Sequence, residues 1–156
     1  MARFDTSGLD DLISEMQRMG ETGGEVARTM VNAAVKEIAA SWRETAEEHG
    51  FRDTGAMIDS IGYPEPVGSI GDALYRDVYP QGKDRKGVRN AEKAFLLHYG
   101  TSRIRPAYWV DEADAKAGPR VQERLDEIWG EFLETGRVPS VPDAAGSAGG
   151  ISTTTK

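Results

Sequence analysis

The sequence predicts an α+β fold in which a long N-terminal helix and a C-terminal helix pack on a small antiparallel sheet, with short helices between. Three observations predict it. From about residue 25 to 49, Val26, Met30, Ala33/Ala34, Ile38 and Trp42 recur at the helical interval, and Gly50 supplies a stop. In "PRVQERLDEIWGEFLE", Val121, Leu125, Ile128/Trp129 and Phe132 form a second stripe. Between them "DALYRDVY" (72–79) alternates with period two, beside a segment whose prolines and glycines forbid a long helix.

The elements follow in order. Residues 1–7 read as a loose arm. "SGLDDLISEMQRMG" predicts a short amphipathic helix capped by Ser7, with Leu9, Leu12, Ile13, Met16 and Met19 on one face and Gly20 at its end. "ETGGE" reads as a hinge before the long helix, the spine of the domain. "RDTGAMIDSIG" predicts one or two helical turns capped by Asp53 or Thr54. "IGYPEPV" is the expected partner of the 72–79 strand, at an edge because of its prolines. "GKDRKGVRN" is a polar basic loop. A short buried helix is expected at 91–99, with Asn90 as N-cap, Gly100 as C-cap and Ala91, Ala94, Phe95, His98 and Tyr99 on its inner face. Pro106 suits the first position of the last helix, which Gly118-Pro119 should interrupt or kink. Residues 1–138 make one domain on this reading, and 139–156, small and rich in helix breakers, a flexible tail.

The bulk numbers fit that picture. A chain of 156 residues suits one domain with a modest core. Apolar residues at 38% and charged residues at 29% are those of a folded globular chain. The net charge of −7 argues against the whole chain acting as a polycation on nucleic acid. There are no cysteines, which excludes disulfides, thiolate metal sites and cysteine nucleophiles. No apolar run approaches the ~20 residues of a membrane span, and the N-terminus does not resemble a signal peptide. Synthesis and folding in the cytoplasm are the expectation.

Constellations for chemistry are missing. His49 and His98 are the two histidines; Glu47 and Glu48 adjoin His49, but such near neighbours on a helix do not face one point. Neither HExxH nor any clustered ligand set appears, so no metal is expected. No nucleophile motif, Walker loop or GxGxxG is present, and the expectation is a non-enzyme without cofactors.

Charge is distributed unevenly. Between residues 82 and 105, Lys83, Arg85, Lys86, Arg89, Lys93, Arg103 and Arg105 face only Asp84 and Glu92, a net +5. Between 107 and 135, Asp111, Glu112, Asp114, Glu123, Asp126, Glu127, Glu131 and Glu134 stand against Lys116, Arg120 and Arg124, a net −5. Three readings follow: a basic loop on one copy meets an acidic helix on the next, a heterologous contact that can close a ring; the loop faces nucleic acid; or both are solvated surfaces. Lys83, Arg85, Lys86, Arg89, Arg103 and Arg105 are the candidate contacts. The loop contains no aromatic platform, which weakens the single-strand reading.

One stretch carries a resemblance. "DTGAMIDSI" after a long helix, a proline-rich strand region, and then "KGVRNAEKAFLLHYGTSRIRPAYWVDEA" resemble the minor tail component family of long-tailed bacteriophages, often described as tail-completion, neck or head–tail connector proteins. The matching positions are Thr54, Gly55, Ser60 and Ile61; Phe95, Tyr99, Gly100 and Thr101; and Arg105, Pro106, Tyr108 and Trp109. The likeness spans residues 9–132. His98 stands where that family commonly has an acid, and Met57 where it has leucine. The resemblance implies a non-enzymatic virion protein of the neck, working as a homo-oligomeric ring that completes the tail or joins it to the head. Its implied partners are other copies of itself and other neck and tail proteins (connector or stopper, tail terminator, tail tube), with passive contact to genome DNA and none to membrane. A tail-terminator role falls in the same class. Phe95, Tyr99, Gly100, Thr101, Pro106 and Trp109 are expected to form a structural corner, with Phe95 and Tyr99 buried.

Overall fold

The structure is a computed structural model that describes residues 7–52, 55–71 and 73–141; within them, the side chains of 7–10, 12, 13, 15 and 16 are not described. The elements run α1 (Ser7–Glu48), α2 (Ala56–Asp59), β1 (Ile61–Gly62), β2 (Gly68–Ile70), β3 (Ala73–Tyr75), β4 (Tyr79–Pro80), α3 (Asn90–Tyr99) and α4 (Trp109–Thr135). The α+β class is as expected.

α1 is one continuous helix of 42 residues, about 63 Å long at ~1.5 Å per residue. The expected end at Gly20 and the hinge at "ETGGE" are therefore corrected. Gly20, Gly23 and Gly24 lower helix propensity by about 1 kcal/mol each, but nothing in their geometry forbids the helix. α4 likewise runs unbroken through Gly118 and Pro119. Pro119 removes one intrahelical donor, at a stretch where Ala115, Gly118 and Pro119 are all exposed, so water can serve the freed carbonyl.

α1 and α4 lie antiparallel and share two cores. One gathers Val35, Ala39, Ala46, Met57, Ile58, Ile61, Tyr63, Ala94 and Trp109. The other joins Val26 and Ala33 to Ile128 and Phe132, with Val138 and Val141 packed against it. The chain thus stays in contact with the core past residue 138, and the rest of the expected tail lies outside the described residues. Of the α4 stripe read from sequence, Ile128 and Phe132 are buried as expected, whereas Trp129 is exposed. Ser41 Oγ donates to the Ala113 carbonyl at 2.7 Å where the helices touch, a buried polar bond between two small residues that lets the backbones approach.

The strand region differs from the expectation. Residues 72–79 do not form one strand. β3 pairs with β2 (Gly68↔Tyr75, Ser69↔Leu74, Ile70↔Ala73), while β4 pairs with β1 (Ile61↔Pro80, Gly62↔Tyr79). The result is two antiparallel ribbons instead of one sheet. The break falls at Arg76, which leaves the ladder to staple the segment to α1. Its guanidinium donates to the Glu65 and Tyr63 carbonyls at 2.8 and 3.0 Å and to Asn32 Oδ1 at 2.7 Å, and lies over the Tyr63 ring. Arg43, also on α1, donates to the Ile61 carbonyl. Of the caps expected for α2, Asp53 and Thr54 lie outside the described residues; Gly55 precedes the helix in the left-handed conformation.

Candidate functional site

Three pieces build the site: the loop between β4 and α3, the helix α3, and the corner leading into α4. The loop is a tight hairpin, bridged between Lys83 and Arg89. Asp84 organises it from within. Its side chain is only 5% exposed and receives the Lys93 ammonium at 2.5 Å and the backbone N–H groups of Lys86 and Val88 at 2.9 Å each. The Lys93 ammonium, followed by the Val88 N–H, holds the Asp84 carboxyl below the usual carboxylate range. One buried acid thus fixes a loop whose other charges are all cationic.

α3 begins at Asn90, whose extended neighbour Arg89 takes the cap position. Asn90 does not cap. Its side-chain amide donates to the Gln81 carbonyl at 2.8 Å and ties the helix start to the end of β4. The inner face of α3 is Asn90, Ala94 and His98, with Leu97 partly buried. Phe95 and Tyr99, expected inside, are 59% and 58% exposed. The correction is a rotation of the helix by about one position. Ala94 and His98 belong to both faces, so only the large aromatics report the difference.

The space they were expected to fill belongs to Trp109. Its ring is 0% exposed, meets Trp42 and Phe51 edge-on at 5.6 and 6.1 Å, and donates through Nε1 to the Ala94 carbonyl at 3.3 Å. A residue larger than alanine at 94 would occupy the indole's approach. His98 is buried between Tyr99 and Tyr108, both edge-on to it, and its Nδ1 accepts the Val110 N–H at 3.3 Å. That N–H is among the first of α4, where intrahelical acceptors are missing.

The corner itself depends on glycine. Gly100 sits at φ 76, ψ 178, a region open essentially to glycine alone. A Cβ there would lie 2.6 Å from the Ile104 carbonyl and from Pro106 N. Thr101 Oγ1 accepts the N–H groups of Arg103 and Ile104 at 3.2 and 3.1 Å, closing the turn. The backbone N–H groups of Ala107 and Tyr108 then donate to the Leu97 and His98 carbonyls at 3.1 Å each, satisfying the open end of α3. α4 starts at Trp109, not Pro106. The residue before it, Tyr108, is left-handed at φ 48 and ψ 33, a non-glycine in a strained region. In that conformation Tyr108 packs one side on His98 and stays half exposed.

The outer surface of this unit is both apolar and cationic. Val88, Phe95, Leu96, Tyr99, Ile104 and Tyr108 are exposed, and Phe95 and Tyr99 lean on each other at 4.7 Å. Lys83, Arg85, Lys86, Arg89, Arg103 and Arg105 are all exposed, and none of their side chains has an ion pair or hydrogen bond among the described residues. Two depressions flank α3. One is made of two adjoining hollows that share Tyr79, Pro80 and Ala91, the first edged by Lys83 and Arg89 and the second by Phe95, Tyr99 and Asp111. The other, about 420 Å³, is lined mainly by Phe51, Met57, Leu96, Leu97 and Ile104.

The acids of α4 divide into two groups. Glu112 joins His49 at 2.7 Å and Lys116 at 3.2 Å, and the His49 ring followed by the Lys116 ammonium lowers its carboxyl pKa. Asp114 accepts from Trp42 Nε1 at 2.8 Å, and Glu127 pairs with Arg124 at 2.8 Å. Glu123, Glu131 and Glu134 have no ion-pair partner among the described residues. Glu131 and Glu134 share the C-terminal turns of α4 with exposed Trp129 and Leu133, and Glu123 lies nearer Arg120 and Arg124.

The histidines stay apart in role: His49 stacks on Phe51 at 5.2 Å and His98 caps α4. Among the described residues no three His, Asp or Glu side chains group to hold a metal ion, and no helix is long and apolar enough to cross a membrane. The chain matches no known family model, no curated protein and no solved structure.

Proposed function

We propose that this chain is a structural subunit of a siphophage neck, assembling as a homo-oligomeric ring that completes the tail or joins it to the head, in the virion and without catalysis. The observation that carries the assembly reading is the polarity of the surface. Six cations without a partner among the described residues and six exposed apolar side chains lie around α3; Glu131 and Glu134, also without an ion-pair partner among the described residues, share the C-terminal turns of α4 with exposed Trp129 and Leu133. Exposed aromatics among unneutralised charge are typical of a contact surface, and opposite signs on separate elements favour head-to-tail association, which closes into a ring when the rotation allows. The neck assignment rests on the sequence resemblance, and a tail-terminator role belongs to the same reading. Light scattering and negative-stain microscopy of the full-length protein test it: a closed ring that adds to tails in an assembly extract is expected. A monomer at all concentrations that adds to neither heads nor tails would overturn it.

A second reading, nucleic-acid binding, is favoured by one feature: the Phe95–Tyr99 pair lies along the depression that starts at Lys83 and Arg89, an aromatic platform that the loop itself lacks. In that case DNA affinity falls steeply with salt and is lost when Lys83, Arg85, Lys86 and Arg89 are reversed in charge.

A further inference from the structure

α1 is longer than the domain needs. Among its described side chains, core contacts begin at Val26, which packs on Ile128 and Phe132 near the end of α4. The segment from Ser7 to residue 25 continues for 19 residues, about 28 Å at ~1.5 Å per residue. Every described side chain from Asp11 to Glu21 is exposed. Yet this segment carries Leu9, Leu12, Ile13, Met16 and Met19 at the helical interval, the pattern of a helix with an apolar face to bury. Met19, the member of the stripe whose side chain is described, is 52% exposed. The segment's charge is also specific: between residues 9 and 25, Asp10, Asp11, Glu15, Glu21 and Glu25 stand against Arg18 alone.

A receptor of matching chemistry exists on the same chain. The groove of about 420 Å³ beside α3 has an apolar floor of Phe51, Met57, Leu96 and Leu97, with Ile104 on its wall. Arg52 and Lys93 edge it but are paired, Arg52 with Glu47 and Lys93 with Asp84. Arg103 and Arg105, on either side of Ile104, are exposed and have no partner among the described residues. An acidic amphipathic helix fits an apolar groove bordered by exposed arginines. α1 runs unbroken from the arm to Glu48, just before the groove-lining Gly50 and Phe51, so arm and groove lie at opposite ends of one helix and the occupant comes from another copy.

We propose that residues 9–24 of one copy form an arm that docks in the groove between α2, α3 and the 100–106 corner of the next copy, its apolar stripe on Leu96, Leu97 and Ile104 and its carboxylates facing Arg103 and Arg105. The contact is heterologous, since arm and groove are different surfaces. It deepens the ring reading above by naming the joint, and its test separates the two.

The chain has no cysteine, so single substitutions give unique reactive sites. Full-length Met16→Cys protein, bearing an affinity tag, is mixed with untagged Ile104→Cys protein and treated with a short bismaleimide. Because each chain holds one cysteine, a mixed product reports contact between copies. The expected yield is at least ~10-fold above that of a Lys36→Cys and Ile104→Cys control, since docking raises the local concentration of the two thiols. It should fall to the control level when Arg103 and Arg105 become Glu, and recover when Asp11 and Glu15 in the arm become Lys. Met19, on the same stripe, is 52% exposed, so a Met19→Asp variant should abolish the product with an unchanged melting temperature. Rings without a mixed product above control would overturn the arm and leave the ring reading standing. A mixed product without rings would support the arm and count against ring closure. Neither product nor assembly would overturn both.

Discussion

The two faces of α3 are built from similar residues and do opposite work. The inner face holds Ala94 against Trp109 and buries His98 beside Tyr108: the indole N–H donates to the Ala94 carbonyl, and the imidazole Nδ1 accepts the Val110 N–H. The outer face holds Phe95 and Tyr99, in contact with each other and with solvent. Aromatic content alone therefore does not mark the core. What separates the faces is whether neighbouring elements leave room, and Trp109 has taken the room.

This contrast can be broken from its heavier side first. Trp109→Ala should cost about 3–5 kcal/mol, the usual loss for truncating a buried tryptophan, read as a large drop in the denaturation midpoint; a loss under ~1 kcal/mol would mean the indole is not the keystone of this core. Gly100→Val comes next. The forced backbone conformation costs ~1–3 kcal/mol, and moving the Ile104 and Pro106 backbone away from the new Cβ costs about 1–3 kcal/mol more. A variant with normal melting would refute the reading of the corner. The smallest effect on folding should come from the outer face: Phe95→Ala with Tyr99→Ala should change stability by less than about 1 kcal/mol. If the outer face is a contact surface, the same double variant should reduce assembly measured by light scattering. A loss of stability as large as that of Trp109→Ala would erase the distinction between the faces.

The corner was readable from sequence in its chemistry but not in its orientation. Gly100 as the stop of α3 and a hydroxyl just after it, Thr101 or Ser102, as the bridge follow from local rules, because φ sign and short side chain–backbone bonds are settled within a few residues; the structure uses Thr101. The face of α3 did not follow, because Ala94 and His98 fit either rotation and the decision rests with Trp109, ten or more residues away. Pro106 likewise looked like a helix start, whereas the N–H groups of Ala107 and Tyr108 are spent on α3 carbonyls and postpone α4 to Trp109. The roles of Arg76 and Asp84 were invisible to periodicity: each acts by gathering backbone groups that only the folded chain brings near.

The six candidate cations show the same division. Their clustering between residues 83 and 105 is a property of the sequence, but whether each was neutralised depended on partners. Lys93, in the same stretch, is consumed by Asp84, and Arg120 on α4 by Glu44 at 3.0 Å. The six remain unpaired among the described residues and so are the ones available to a partner.

By itself, then, the sequence determined the α+β class, the two amphipathic helices, the glycine corner and the sign of charge along the chain, since periodicity, backbone freedom and formal charge are local properties. Only the tertiary structure decided that α1 runs unbroken through three glycines, that the strand region splits into two ribbons at Arg76, and that Phe95 and Tyr99 face outward. Those outcomes depend on competition for the same space and the same hydrogen-bond partners among segments far apart in the chain.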